Sequence, residues 1–126
     1  MRFYCDGLGC RPAERYELDG SQLPGLAEAL EVTGPAVILS QMITHGGLKI
    51  ELIEWRTPDP VGAPASRRNQ LGLTHLSFVV GDVDMAARRL VGLGGELLPL
   101  TRQRPGIDLV FLADPDGTRV ELMGRS

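Results

Sequence analysis

The sequence predicts an α+β fold built from a duplicated unit, and three observations carry that reading. First, residues 47–55, GLKIELIEW, and residues 117–125, GTRVELMGR, share one pattern: Gly, two residues, an aliphatic, then Glu-Leu. Second, the second half alternates strand, helix, strand, strand, strand, and the first half repeats the end of that order. Third, the spacings agree. Glu51 and Glu121 lie 70 positions apart and the paired glycines Gly9 and Gly94 lie 85 apart. The difference of 15 is about the size of an extra helical segment in the first half. Repeats of this kind settle the architecture before any single element does.

Each element has its own local reason. The end of a helix, LGC (8–10), resembles the later helix end LGG (93–95). ERYELDG (14–20) is the strand that follows it, and LPGLAEALEVTG (23–34) reads as a short helix. AVILSQMI (36–43) is an aliphatic run of strand type, THGG (44–47) supplies turn residues, and LKIELIEW (48–55) completes a hairpin. Three prolines and two glycines make 56–72 a connector. LTHLSFVV (73–80) alternates as a strand. Asp82 stands where a helix N-cap is wanted, and Val83, Ala86, Ala87 and Leu90 give the apolar stripe of one helix face. Gly94 and Gly95 suit the left-handed backbone that ends a helix. ELLPL (96–100) is a strand placed at an edge by Pro99. IDLVFLA (107–113), the turn DPDG (114–117) and TRVELM (118–123) close the chain. The chain is expected to form one domain: module one 1–56, a connector 57–71 and module two 72–126.

Composition excludes several classes. The chain has 126 residues, 43% of them apolar, and a formal net charge of −3. That is enough chain for a core, and no basic footprint marks a nucleic-acid binder. No apolar run approaches the roughly 20 residues of a membrane span. MRFYCDGLGC carries no apolar signal core. Cys5 and Cys10 have no Cys-x-x-Cys spacing and read as reduced thiols of a cytoplasmic protein.

Strand parity assigns faces. In 48–55, Ile50 and Leu52 share one face, while Lys49, Glu51, Ile53 and Trp55 share the other. In 118–123, Val120 and Leu122 oppose Arg119, Glu121 and Met123. In 73–80, Leu76, Phe78 and Val80 oppose Leu73, His75, Ser77 and Val79. Each strand thus has an aliphatic face for a helix and a mixed face that carries His75, Glu51 or Glu121. Two sheets facing each other through their mixed faces would bring these three residues to one cavity. One imidazole with two carboxylates suits a divalent cation.

FYCDGLGC, GLTHLSFVVGDVD and FLADPDGTRVEL together resemble the vicinal oxygen chelate superfamily of glyoxalase I, methylmalonyl-CoA epimerase, extradiol dioxygenases and bleomycin-resistance proteins. The match is close over 71–125 and looser over 3–55. The resemblance implies paired βαβββ modules forming a U-shaped mixed sheet around a cleft that holds a metal. It assigns ligand roles to Glu51, His75 and Glu121. The family's first ligand lies on the first strand of module one. By the glycine offset, that place falls about ten positions upstream of Met1, so this strand and a fourth ligand are absent from this sequence, either because they precede Met1 or because the protein lacks that ligand. His45, the other histidine, sits in the THGG turn and is a poor substitute.

The resemblance implies a glyoxalase-like isomerase or lyase acting on a small carbonyl or thioester through an enediolate. A divalent ion (Zn, Ni, Co, Mn or Fe) would act as the Lewis acid. Glu121 first, and Glu51 second, would serve as base. The competing reading is a drug-binding protein of the bleomycin-resistance type, with Trp55 stacking on a flat ligand. An extradiol dioxygenase comes third, since it needs two histidines on iron. Epimerase chemistry is weakened because AVILSQMI offers Gln41 where a second glutamate is wanted. Of the loop arginines Arg67, Arg68, Arg102 and Arg104, Arg104 is chosen as a substrate contact. A small-molecule ligand and a homodimer are expected from the family, with neither nucleic acid nor membrane as partner.

Overall fold

A computed structural model describes residues 1–125. The α+β class is confirmed: a three-stranded sheet and a four-stranded sheet with few helices. The elements are a π-helical turn at Phe3–Gly7, then β1 (Arg11–Asp19), α1 (Leu26–Ala29), β2 (Val37–His45), β3 (Leu48–Thr57), β4 (Leu76–Val80), α2 (Val83–Gly92), β5 (Glu96–Gln103), β6 (Leu109–Ala113) and β7 (Arg119–Gly124). They form two compact units. Cys10–Gly62 is the hairpin unit. Met1–Gly9, together with the chain from Ala63 onward, is the helix unit. The first nine residues therefore belong with the second half, a boundary different from the one the repeat suggests.

In the hairpin unit β1, β2 and β3 pair antiparallel in that order. The turn after His45 places Gly46 and Gly47 at φ 54° and 87°, the left-handed backbone that a two-residue hairpin turn requires. β1 shifts register between Pro12 and Arg15. Its displaced carbonyls are met by the buried Gln41, whose Nε2 donates to Ala13 O at 3.3 Å, Glu14 O at 3.4 Å and Met42 O at 2.8 Å. Gln41 is thereby occupied in holding the bulge. β3 is an edge strand here. Among the described residues, none takes the place beside β3 that β4 takes beside β7.

In the helix unit the order is β4-β7-β6-β5. β4 and β7 run parallel, and the other pairs are antiparallel. α2 begins as its cap predicts: Asp82 Oδ1 accepts from Met85 N at 2.8 Å. Its buried stripe, Val83, Ala87 and Leu90, meets the aliphatic faces of β6 and β7. Val110, Leu112, Val120 and Leu122 are at most 1% exposed, so these faces form the core, as strand parity required. The N-terminal turn completes this core with Phe3 and Tyr4. Tyr4 Oη donates to Asp114 Oδ2 at 2.7 Å. The other oxygen of Asp114 accepts from Asp116 N at 3.0 Å and Thr118 N at 2.8 Å, which shapes the turn before β7.

Candidate metal centre

With its aliphatic side against α2, the sheet of the helix unit presents the opposite side as an open face. β7 contributes Arg119 and Glu121 to that face, and β6 contributes Phe111, which is in register with Glu121. His75 stands one residue before β4. The predicted strand 73–80 starts only at Leu76, because Thr74 and His75 turn toward each other, with Thr74 Oγ1 2.9 Å from His75 Nδ1.

That contact decides how the imidazole is used. When Nδ1 carries the proton and donates it to Thr74, Nε2 is left with a lone pair. His75 Nε2 lies 3.7 Å from Glu121 Oε2. The separation is too long for a direct hydrogen bond, which falls near 2.7–3.2 Å. It matches two donors sharing one cation, since atoms each about 2.1 Å from an ion sit roughly 3–4 Å apart. The Glu121 side chain is only 14% exposed, and His75 is its one ion-pair partner among the described residues. A carboxylate so far out of water favours a cation. The residues present therefore fit a divalent ion with His75 and Glu121 as two of its donors. The ring of His75 also stands edge-on to Phe111, 5.2 Å between centroids at 80°, which limits its rotation.

Glu51 and Trp55 belong to the hairpin unit. Glu51 is on an exposed stretch of β3, opposite Met42, and Ser40 Oγ donates to its Oε1. Trp55 is half-buried on the same face of β3, opposite Ile38. His45 ends β2 in this unit. Within either unit, among the described residues, no three His, Cys, Asp or Glu side chains cluster at metal-binding distance. The His75–Glu121 pair lies in one unit and Glu51 in the other.

Arg104 is engaged elsewhere in the helix unit. Its Nη2 lies 3.0 Å from Asp84 Oδ2, and its Nε lies 3.1 Å from Asp108 Oδ1. Arg102 bridges the same two carboxylates, at 2.9 and 2.6 Å, and donates to Gln103 O and Leu109 O. The hydrogen bond from Arg102 holds the Asp84 carboxyl below its usual range, and the one from Arg104 does the same for Asp108. Between α2 and β5 runs an apolar groove of about 700 Å³, walled by Ala87, Val91, Leu97 and Pro99. It lies on the helix side of the sheet and contains neither His75 nor Glu121, so volume alone is a poor guide to the chemistry here.

Residues 1–122 match the family model for the glyoxalase/bleomycin resistance protein/dioxygenase superfamily. The chain belongs to this superfamily. No curated protein matches it in sequence. Among solved structures, a glyoxalase family protein from Bacillus cereus is similar, with a TM-score of 0.75 and 24% identity over 94% of this chain and 80% of that one. FosX from Listeria monocytogenes, a fosfomycin resistance protein complexed with Mn(II) and sulfate ion, has a TM-score of 0.57 at 17% identity, covering 98% and 79%. A glyoxalase I mutant from Zea mays has a TM-score of 0.67 at 18% identity, covering 99% of this chain and 39% of that one. At these identities the likeness is one of fold. Among the described residues, no helix is long and apolar enough to cross a membrane.

Proposed function

We propose that the protein is a metal-dependent isomerase or lyase of the glyoxalase type, acting on a small carbonyl or thioester substrate. The observation that carries this reading is the 3.7 Å pairing of His75 Nε2 with Glu121 Oε2 on the open face of the sheet. Superfamily membership and the Mn(II) in the FosX structure support a divalent ion as the group it holds. His75 and Glu121 would hold the ion. When bound, it would supply Lewis-acid polarisation of a substrate oxygen.

The chain's own residues supply the rest. Thr74 fixes the His75 ring so that Nε2 faces Glu121. The Glu121 carboxylate takes a proton from the carbon beside the substrate carbonyl and returns it. Glu51 is the alternative base. Its Oε1 accepts from Ser40 Oγ.

The test is elemental analysis after chelation and reconstitution with Mn, Co, Ni, Zn or Fe(II). Roughly one ion per chain is expected. Glu121→Ala should abolish it. Proton exchange from a hemithioacetal in deuterated solvent then reports the chemistry. A protein that takes up no ion, or whose metal content ignores Glu121→Ala, would sink the reading.

A second reading is a small-molecule binding protein of the bleomycin-resistance type. One observation favours it. Beside Glu51, β3 presents the half-buried Trp55 and an Ile53 that is 42% exposed, an apolar stretch suited to a flat ligand. Tight drug binding by metal-free protein, lost in Trp55→Ala, would select it.

A further inference from the structure

We propose that Arg68 and Arg119 form a two-guanidinium clamp for an oxyanion on the substrate, a carboxylate or a phosphonate, held beside the His75–Glu121 pair. This rests on the functional reading above and deepens it by assigning the substrate a negative charge. Four observations lead to it.

Arg68, in the connector, sits over Phe111, with its guanidinium carbon 4.7 Å from the ring centroid. The cation–π attraction to the ring restrains the guanidinium, and its several N–H donors can meet an oxyanion at two points. The same Phe111 ring is met by His75 and stands in register with Glu121, so the cation shares its platform with the candidate metal donors. Arg119 sits two residues before Glu121 on the same face of β7 and is half-buried. Finally, among the described residues neither arginine makes an ion pair; Arg11, Arg15, Arg67, Arg88, Arg89 and Arg125 make none either, so it is the place of Arg68 and Arg119 beside Phe111 and Glu121 that sets them apart.

Two like charges near one another, neither with an ion-pair partner among the described residues, oppose each other. Partial burial first, and repulsion from Arg119 second, push the Arg68 guanidinium below its usual value. An anion between them removes that opposition. With a chain charge of −3, non-specific attraction does not supply the anion, so the local pair must. Arg104, by contrast, is neutralised by two aspartates.

The test titrates phenylphosphonate and benzoate into metal-stripped protein in the presence of a chelator, with benzyl alcohol as the uncharged control, followed by NMR shifts of the open-face residues. At least one of the two anions should bind and the alcohol should not. Arg68→Ala and Arg119→Ala should each weaken the anion about tenfold. Arg68→Lys, which keeps the charge and loses the planar fork, should fall between. Both alanine variants should take up Mn(II) as the wild type does. Equal affinity in the variants, or equal binding of the alcohol, would overturn the clamp. If wild-type protein binds the anion but no metal, the clamp stands and the metal-dependent reading falls. If it binds metal but neither anion, the clamp alone falls.

Discussion

His75 Nε2 faces Glu121 Oε2 at 3.7 Å because two parallel strands, β4 and β7, set Ser77 opposite Glu121 and so leave His75 on the diagonal. The other ring nitrogen is tied to Thr74 Oγ1 at 2.9 Å. Orientation through that contact makes Thr74 a positioning residue. Thr74→Val is expected to weaken Mn(II) or Co(II) binding roughly 10- to 100-fold, the range for loss of such a partner. Thr74→Ser should retain near wild-type affinity. Metal titration of the three proteins checks this, with circular dichroism confirming an unchanged fold.

Tyr4 and Asp114 are 110 positions apart in the chain and joined by a buried hydrogen bond. Tyr4→Phe leaves Asp114 Oδ2 without that donor, at a cost of about 1–3 kcal/mol. Urea unfolding should show a lower midpoint with the slope unchanged.

Gly95 is required by space. A Cβ there would lie 2.6 Å from Phe3 Cε2, 3.0 Å from Leu90 O and 3.2 Å from Ala113 O. Two of these three neighbours are backbone atoms and cannot turn aside. Gly95→Ala should destabilise by about 1–3 kcal/mol, and calorimetry should find Tm lower by about 5 °C or more.

Asp84 and Asp108 have depressed carboxyl pKa values through Arg102 and Arg104. A carboxyl group depressed in the folded state binds its proton less readily there than in the unfolded chain. Its contribution is therefore present above the ordinary carboxylate pKa of about 4 and lost as pH falls through the folded value. Tm is expected to fall below about pH 4. Arg102→Ala should flatten that acid limb while lowering Tm at neutral pH. Because these charges are exposed, added salt should also reduce the difference.

The residues that were legible in the sequence are those governed by local rules. Asp82 caps α2, Pro99 lies in the edge strand β5, and Val120 and Leu122 are buried, because capping, proline geometry and strand alternation depend on neighbours a few positions away. The same alternation put His75 and Glu121 on mixed faces. It could not single out Arg68 among the loop arginines, because its proline- and glycine-rich connector has no period to assign a face. The extended reading of 73–75 missed the Thr74–His75 contact for a related reason, since a side-chain hydrogen bond competes there with strand pairing.

By itself, then, the sequence determined the elements, their faces and the duplicated Glu-Leu strand. Only the tertiary structure decided which groups meet. It showed that β4 lies beside β7, that Phe111 supports both Arg68 and His75, and that Asp84 and Asp108 engage Arg104. It also showed that the first nine residues pack with the second half. The reason is one of range. Periodicity records which side of a strand or helix a residue occupies, whereas strand order and side-chain meetings arise from contacts between segments far apart in the chain, and no local pattern encodes them.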